Sequence, residues 1–167
     1  MCELLPDVLS KNLKVVFCGL NPGKRSAKIG CYYTDPKNRF WKVLYEAGFT
    51  PKRLEPCNYR EVLRYGIGLT DLIKWSYCRN VKPKQEDIKK LREKILKFKP
   101  KVLAFNGKSP AEYLFKRKEK VKFGKIDEKI GRTEIFVVPS TSGANANWYK
   151  HNHIKYWKNL SDYVKQL

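Results

Sequence analysis

Acidic side chains are scarce in this sequence: 16 aspartates and glutamates stand against 36 lysines and arginines, a formal net charge of +20. That imbalance excludes an acidic or neutral surface and points to a polyanionic partner, nucleic acid first. The alternative is that the lysine richness reflects genome composition or thermal adaptation, although enrichment in lysine and glutamate alone would not leave so large an imbalance. Long apolar runs are also missing, and no stretch is apolar enough to span a bilayer. Residues 1–13 contain acidic residues and lack a signal-peptide core. The expected setting is therefore the cytoplasm (nucleoid-associated) of a prokaryote or the nucleus of a eukaryote, with no membrane partner. The five cysteines, Cys2, Cys18, Cys31, Cys57 and Cys78, form no Cys-x-x-Cys pair. Their spacing argues against zinc and iron–sulfur sites, and an odd count in a chain without a signal suggests reduced thiols. No repeat, low-complexity tract or linker divides the chain, so residues 1–167 are expected to form one domain with a sizeable core.

What is present begins with Lys14 to Gly23. Val15, Val16, Phe17 and Cys18 form a short apolar run that reads as a buried strand of a parallel sheet. The run stops at Gly19, and Asn21-Pro22-Gly23 is a turn signal. Pro22 has no backbone donor and pushes Asn21 towards an extended conformation. Asn21 is thus held at the carboxyl end of a first strand, where open α/β sheets bind ligands. Taken alone, the same residues are equally an ordinary β-turn.

Residues 24–37 read as a long, basic, irregular loop carrying Tyr32 and Tyr33 beside Lys24, Arg25 and Lys28. Such a mixture suits base stacking and phosphate holding, although either tyrosine can instead plug the core. Asn38 can cap a helix through about Phe49, with Phe40, Trp41, Val43, Leu44 and Ala47 inward. Residues 58–65 suggest a short helix with Val62 and Leu63 inward, and within Gly66 to Ile73 a short second strand leads to a polar turn at Thr70-Asp71. Residues 74–84 are irregular and basic. Residues 85–98 form an amphipathic helix with Ile88, Leu91, Ile95 and Leu96 on one face.

Pro100 ends that helix, and residues 101–105 are another buried strand, ending at Asn106-Gly107-Lys108. Ser109 can cap a following helix with Pro110 at its first position. Lys116 to Lys122 is a basic run. Residues 124–138 read as a hairpin turning at Gly131-Arg132-Thr133, and residues 149–167 as a C-terminal helix. Strands alternating with helices predict a three-layer α/β/α sandwich with a central, mostly parallel sheet. In such a sheet the polar turns near Asn21, Thr70, Asn106 and Ser140 converge at one edge.

Gly19-Leu20-Asn21-Pro22-Gly23, Asn38-Arg39-Phe40-Trp41-Lys42-Val43-Leu44, Gly68-Leu69-Thr70-Asp71-Leu72 and Asn106-Gly107-Lys108 together resemble the mismatch-specific uracil/thymine-DNA glycosylases over about residues 13–165. The resemblance implies the uracil-DNA-glycosylase fold and removal of uracil from DNA, especially opposite guanine, without a cofactor or metal. By position, Asn21 matches the asparagine that positions the attacking water, and Tyr33 the aromatic that stacks on the extruded base. Ser26 lies where the family tunes tolerance of a pyrimidine 5-methyl group. Gly19, Leu20, Pro22 and Asn38 complete the expected base pocket. Lys24 and the second motif, Ser142, Gly143, Ala144, Asn145 and Asn147, form the expected DNA-contacting loop. That motif departs from the family's usual Asn-Pro-Ser-Gly followed by a bulky wedge, since Ala144 is small. His151 and His153 just beyond it read as surface, phosphate-contacting or helix-start residues.

The implied reaction is hydrolysis of the N-glycosidic bond of a flipped deoxyuridine. An amide such as Asn21 takes no proton near neutral pH, so it can only orient water, and slow, monofunctional chemistry is expected. Lys108 suits structure or phosphate binding better than a Schiff base. The alternatives are a glycosylase of shifted base choice, such as hypoxanthine or xanthine, and a nucleic-acid-binding module without catalysis. The expected partner is DNA, as a double-stranded mismatch or single-stranded, and the expected state is a monomer.

Overall fold

A computed structural model describes residues 2–117 and 119–167; Met1, and Lys118 of the basic run predicted over 116–122, lie outside the described residues. Five short strands build one sheet: β1 (Val15–Gly19), β2 (Ile67–Asp71), β3 (Val102–Asn106), β4 (Gly124–Ile130) and β5 (Thr133–Val138). Their spatial order is β2-β1-β3-β5-β4, with β4 alone antiparallel. The register sets Cys18 beside Thr70 and Phe105, and Asn106 beside Val138, so the carboxyl ends of β1, β2, β3 and β5 share one edge.

β1 is buried on both faces, which is why it reads as an unbroken apolar run. Alternate side chains go to opposite layers. Val15 and Phe17 join Phe40, Trp41, Leu44, Trp157 and Leu160 on one face, under α2 (Phe40–Glu46) and α5 (Ile154–Lys165). Val16 and Cys18 join Leu91, Ile95, Ala111 and Leu114 on the other, under α3 (Gln85–Phe98) and α4 (Lys108–Phe115). Phe17 stacks on Trp157 at 5.2 Å and meets Phe40 edge-on at 5.7 Å, which ties sheet and helices together. The three-layer α/β/α sandwich expected from the alternation of elements is the architecture observed.

Several local readings need correction. Lys24–Ile29 is a helix, α1, and not part of an irregular loop. It has only six residues and buries only Ser26, so no apolar period marks it. Leu63 is 37% exposed and Leu96 50% exposed. The inward stripe of α3 runs through Leu91 and Ile95, and Leu96, one residue on, is turned away from it. Residues 56–65 form a 3-10 stretch rather than an α-helix. α4 begins at Lys108, with Gly107 at φ 100° before it, so Pro110 is its third residue. α5 begins at Ile154, and a turn segment over 148–153 precedes it. α2 starts at Phe40, and the Asn38 side chain accepts the Phe40 N–H at 3.0 Å, a capping role shifted by one residue.

Candidate active site

The chain leaves β1 and turns to one side for β2, then crosses to the other side of β1 for β3. A crevice opens at such a switch point, outside the strand ends. Here it is a cleft of about 1060 Å³, lined at its floor by Gly19, Asp71, Tyr33 and Asn106 and at its rim by Lys24, Arg25, Lys28, Arg79 and Lys108. The basic rim puts a favourable field where an anionic backbone would run.

Of the residues singled out in the sequence, Gly19, Leu20, Asn21, Pro22, Lys24, Ser26, Tyr33, Asn38, Ser142 and Gly143 line this cleft. Ala144 and Asn147 are exposed on the loop beyond it, outside the lining. Asn145, also outside the lining, holds that loop: its Nδ2 donates to Ser140 O at 2.9 Å and lies 3.3 Å from His153 Nδ1. His153 is buried against Phe123 and Trp148 and starts α5, so it is not the surface residue that one sequence reading allowed. Burial, with the charges of His151, Lys108 and Lys155, lowers its pKa.

Asn21 is fixed by its own side chain. Its Nδ2 donates to the carbonyls of Ser76 and Cys78, each at 3.0 Å. Two carbonyl acceptors demand the amide nitrogen there, which settles the orientation of the amide and leaves Oδ1 as the group it can offer. The irregular 74–84 segment thus has a defined function, to clamp Asn21.

The two tyrosines divide their roles. Tyr32 is 2% exposed; its hydroxyl donates to Pro6 O and accepts from Lys74 Nζ, and its carbonyl accepts the Trp41 indole N–H. It is the core plug. Tyr33 stands at φ 53°, in the left-handed region that a bulky residue adopts only when its surroundings over-determine it. Its ring stacks face to face on Phe40, centroids 4.0 Å apart and planes 18° apart, and it lines the cleft. Burial, reinforced by the charge of Asp71, raises its hydroxyl pKa, so the group stays a neutral phenol.

Ser26 joins α1 to the tyrosine loop. Its Oγ accepts the Thr34 N–H at 3.1 Å and lies 3.0 Å from Thr34 Oγ1. Lys108 sits 4.5 Å over the Phe123 ring, a cation–π seat at the rim.

Three contributors were not singled out as site residues from the sequence. Asn106 Nδ2 donates to Thr141 Oγ1 at 2.9 Å and reaches Tyr33 Oη at 3.4 Å, while its Oδ1 accepts the Thr141 N–H at 3.0 Å. It ties the second-motif loop to the floor. Arg39 donates to Ser142 O at 3.1 Å and lies over the rings of Trp148 and Tyr149. Asp71 is 4% exposed, and burial pushes its carboxyl up to about 6 against the opposing charge of Lys74. In the sequence, Asn106 and Asp71 stand at strand ends and within motifs that carry the family resemblance, which places Asp71 in a specificity-linked turn; their burial and partners are tertiary. Beneath Asp71, Asp7 receives Lys74 at 2.7 Å, Lys94 at 2.6 Å and the Thr70 hydroxyl at 2.7 Å.

The arrangement can stack a flat ring on the free side of Tyr33, hold a water at Asn21 and bind phosphates at the rim. The family model of the uracil DNA glycosylase superfamily matches residues 6–161 of the chain. The fold is also that of the solution NMR structure of a candidate uracil DNA glycosylase from Methanosarcina acetivorans, at a TM-score of 0.63 and 22% identity over 96% of each chain.

Proposed function

From the premise that the chain belongs to the uracil DNA glycosylase superfamily and is a DNA glycosylase, we propose that its substrate is uracil flipped out of DNA, at G·U mismatches in particular, and that it works as a monomer. Family membership sets aside the reading of a binding module without catalysis. The observation that carries the proposal is Asn21. Its N–H groups are engaged by two carbonyls of a neighbouring segment, so its oxygen is presented to the same cleft that Tyr33 lines.

Extruding the base costs a few kcal/mol, least at a mismatch, which supplies part of the selectivity. The extruded ring lies on Tyr33, whose other side is backed by Phe40. Asn21 Oδ1 accepts from a water and aims its oxygen at C1′. As the C1′–N1 bond breaks, its electron pair leaves with the base, which becomes an anion, and the water oxygen bonds to C1′. The water's proton passes to the departing base or to solvent, because the Asn21 amide takes none. Orientation and electrostatics rather than acid–base transfer therefore set the rate. Ser26, with its hydroxyl tied to Thr34, is the side chain that narrows the pocket near the pyrimidine 5-position and favours uracil over thymine.

The test is alkali-induced strand cleavage of labelled oligonucleotides carrying uracil, thymine, hypoxanthine or xanthine, opposite guanine or adenine and single-stranded. Cleavage at U·G that disappears in Asn21→Ala is the expected result. Cleavage confined to hypoxanthine or xanthine would move the substrate to purine lesions, and wild-type activity retained in Asn21→Ala would remove Asn21 from the reaction.

A further inference from the structure

Tyr77 is 42% exposed and belongs to neither of the apolar clusters that flank the sheet, so core packing does not explain its ring. It lines the cleft instead, together with Arg79, Arg25 and Lys28. An aromatic face among cations supplies the two things a nucleotide takes from a protein, a surface to stack on and charge for its phosphate. The place of Tyr77 in the chain adds a second, independent observation. Its neighbours on either side, Ser76 and Cys78, are the residues whose carbonyls accept the Asn21 Nδ2–H groups, each at 3.0 Å. The segment is braced within itself: Ser76 Oγ accepts the Cys78 N–H at 3.2 Å, and Cys78 O also accepts the Val81 N–H at 3.4 Å. Residues 77–80 are nonetheless all exposed, so little packing holds them in place. A group resting on the Tyr77 ring therefore steadies the backbone that orients Asn21.

We propose that Tyr77 stacks a base next to the extruded nucleotide on the same strand, and that this contact fixes the Ser76–Cys78 clamp and with it Asn21. The inference rests on the glycosylase reading above. The extruded ring lies at the floor on Tyr33, so the face of Tyr77, at the exposed wall, is free for the neighbouring base. Arg79, two residues on, and Arg25 of α1 line the same cleft and can take the phosphates that flank it. Tyr77 is a positioning residue in this scheme: it touches DNA beside the reacting nucleotide and acts on the attacking water only through Asn21.

Binding energy from a part of the substrate that does not react is thereby used to order the reacting centre. Every base has a π-face, so the contact tolerates any neighbour, with a modest preference for the larger purines. A uracil whose neighbour lacks a base should leave the clamp unsupported.

The experiment is single-turnover excision at saturating enzyme on duplexes with uracil opposite guanine, in which the 5′ or the 3′ neighbour of the uracil is either a nucleotide or a tetrahydrofuran abasic unit. Wild type, Tyr77→Ala and Tyr77→Phe are compared, with thermal melting of each as a folding check. On the intact duplex Tyr77→Ala should be slower than wild type by roughly five- to a hundredfold, the worth of one stacked base. An abasic neighbour also eases extrusion, but it does so for both proteins, so the ratio of wild-type to Tyr77→Ala rates isolates the contact. That ratio should fall to about one with the abasic unit on one side of the uracil and stay unchanged with it on the other. Tyr77→Phe keeps the ring and should stay within about twofold of wild type. The loss in Tyr77→Ala should appear in the saturated rate and not only in binding, because the clamp orients Asn21 in the bound complex. A ratio that neither abasic unit changes, or Tyr77→Phe as slow as Tyr77→Ala, would overturn the stacking; a loss confined to binding, read by fluorescence anisotropy, would overturn the link to Asn21. If Tyr77→Ala does not fold, the rate of Tyr77→Leu on the same duplexes decides. Absence of wild-type excision of uracil from every duplex would overturn the substrate reading itself, whereas wild-type excision with unchanged ratios overturns this inference alone.

Discussion

Replacing Asn106 with leucine, close to it in size, removes two of the hydrogen bonds that hold Thr141. The Thr141 N–H, 3.0 Å from Asn106 Oδ1, loses its acceptor, and Thr141 Oγ1 loses a donor at 2.9 Å. Thr141 is 0% exposed, so water does not replace them. An orphaned buried donor costs about 1–3 kcal/mol, and the second bond contributes roughly 0.5–1.5 kcal/mol. The sum, about 2–4 kcal/mol, corresponds to a fall in Tm of roughly 5–15 °C for a domain of this size. Asn106→Asp keeps the acceptor for the Thr141 N–H, and the Thr141 hydroxyl can turn to donate, so its loss should be well under half as large. Because Asn106 also reaches Tyr33 Oη, the leucine variant should excise the base about ten- to a hundredfold more slowly at a temperature where it is folded, the cost of a site displaced by about an ångström. Circular-dichroism melts and single-turnover cleavage measure the two effects. A Tm unchanged within about 1 °C, or full activity in a destabilised Asn106→Leu protein, would refute the role of this tie.

Other predictions follow the same geometry. Tyr33→Phe should retain binding of DNA with an extruded abasic or analogue base, whereas Tyr33→Ala should lose about 1–3 kcal/mol of it, read by fluorescence anisotropy. Asp7→Asn leaves Lys74 and Lys94 without their counter-charge and should destabilise by about 3–5 kcal/mol at neutral pH. Burial alone would raise the Asp7 pKa, but Lys74, Lys94 and Thr70 outweigh it and hold it below its ordinary value. Its contribution is therefore present above about pH 4 and lost as pH falls through the folded value, so acid unfolding should be shallower in Asp7→Asn than in wild type. Binding to undamaged duplex should weaken steeply with salt, and Lys24→Ala, Arg79→Ala and Lys108→Ala should each reduce the log–log slope by about one if each rim residue contacts a phosphate.

What could be read from the sequence, and what could not, divides along physical lines. β1 and β3 were legible because strands buried on both faces are continuous apolar runs bounded by turn residues. α3 was legible because its fourteen residues hold several repeats of an apolar period, whereas the six of α1 hold less than two turns. The placement of Asn21 at a strand end followed from turn chemistry, whereas Tyr33 was picked out by the family resemblance alone. That Tyr32 is the plug and Tyr33 the stacking candidate depends on which ring meets Phe40, and nothing local to the pair decides it. The partners of Asn106 and Asn21 lie 35 and 55 or more residues away, so the ties that give these asparagines their function do not exist at the level of a local pattern.

The charge state of Asp71 bears on the rate of the proposed reaction. In the proposed reaction the base leaves as an anion, and Asp71 is a buried carboxyl lining the same cleft. A carboxylate at about 5 Å from the departing ring would oppose it by about 3 kcal/mol at an effective dielectric of about 20, roughly a hundredfold in rate. The same carboxyl protonated opposes nothing. Burial at the floor, with Lys74 and Lys94 drawn to Asp7, raises the carboxyl to about 6, so that it holds its proton below that pH and loses it above. Asp7 thus acts on the charge of Asp71 from outside the cleft. In Asp7→Asn the two lysines are released to act on Asp71 and should lower its pKa, so the alkaline loss of excision rate should begin at a lower pH than in wild type. An unshifted pH profile in a folded Asp7→Asn protein would separate the ion-pair cluster from the floor of the site.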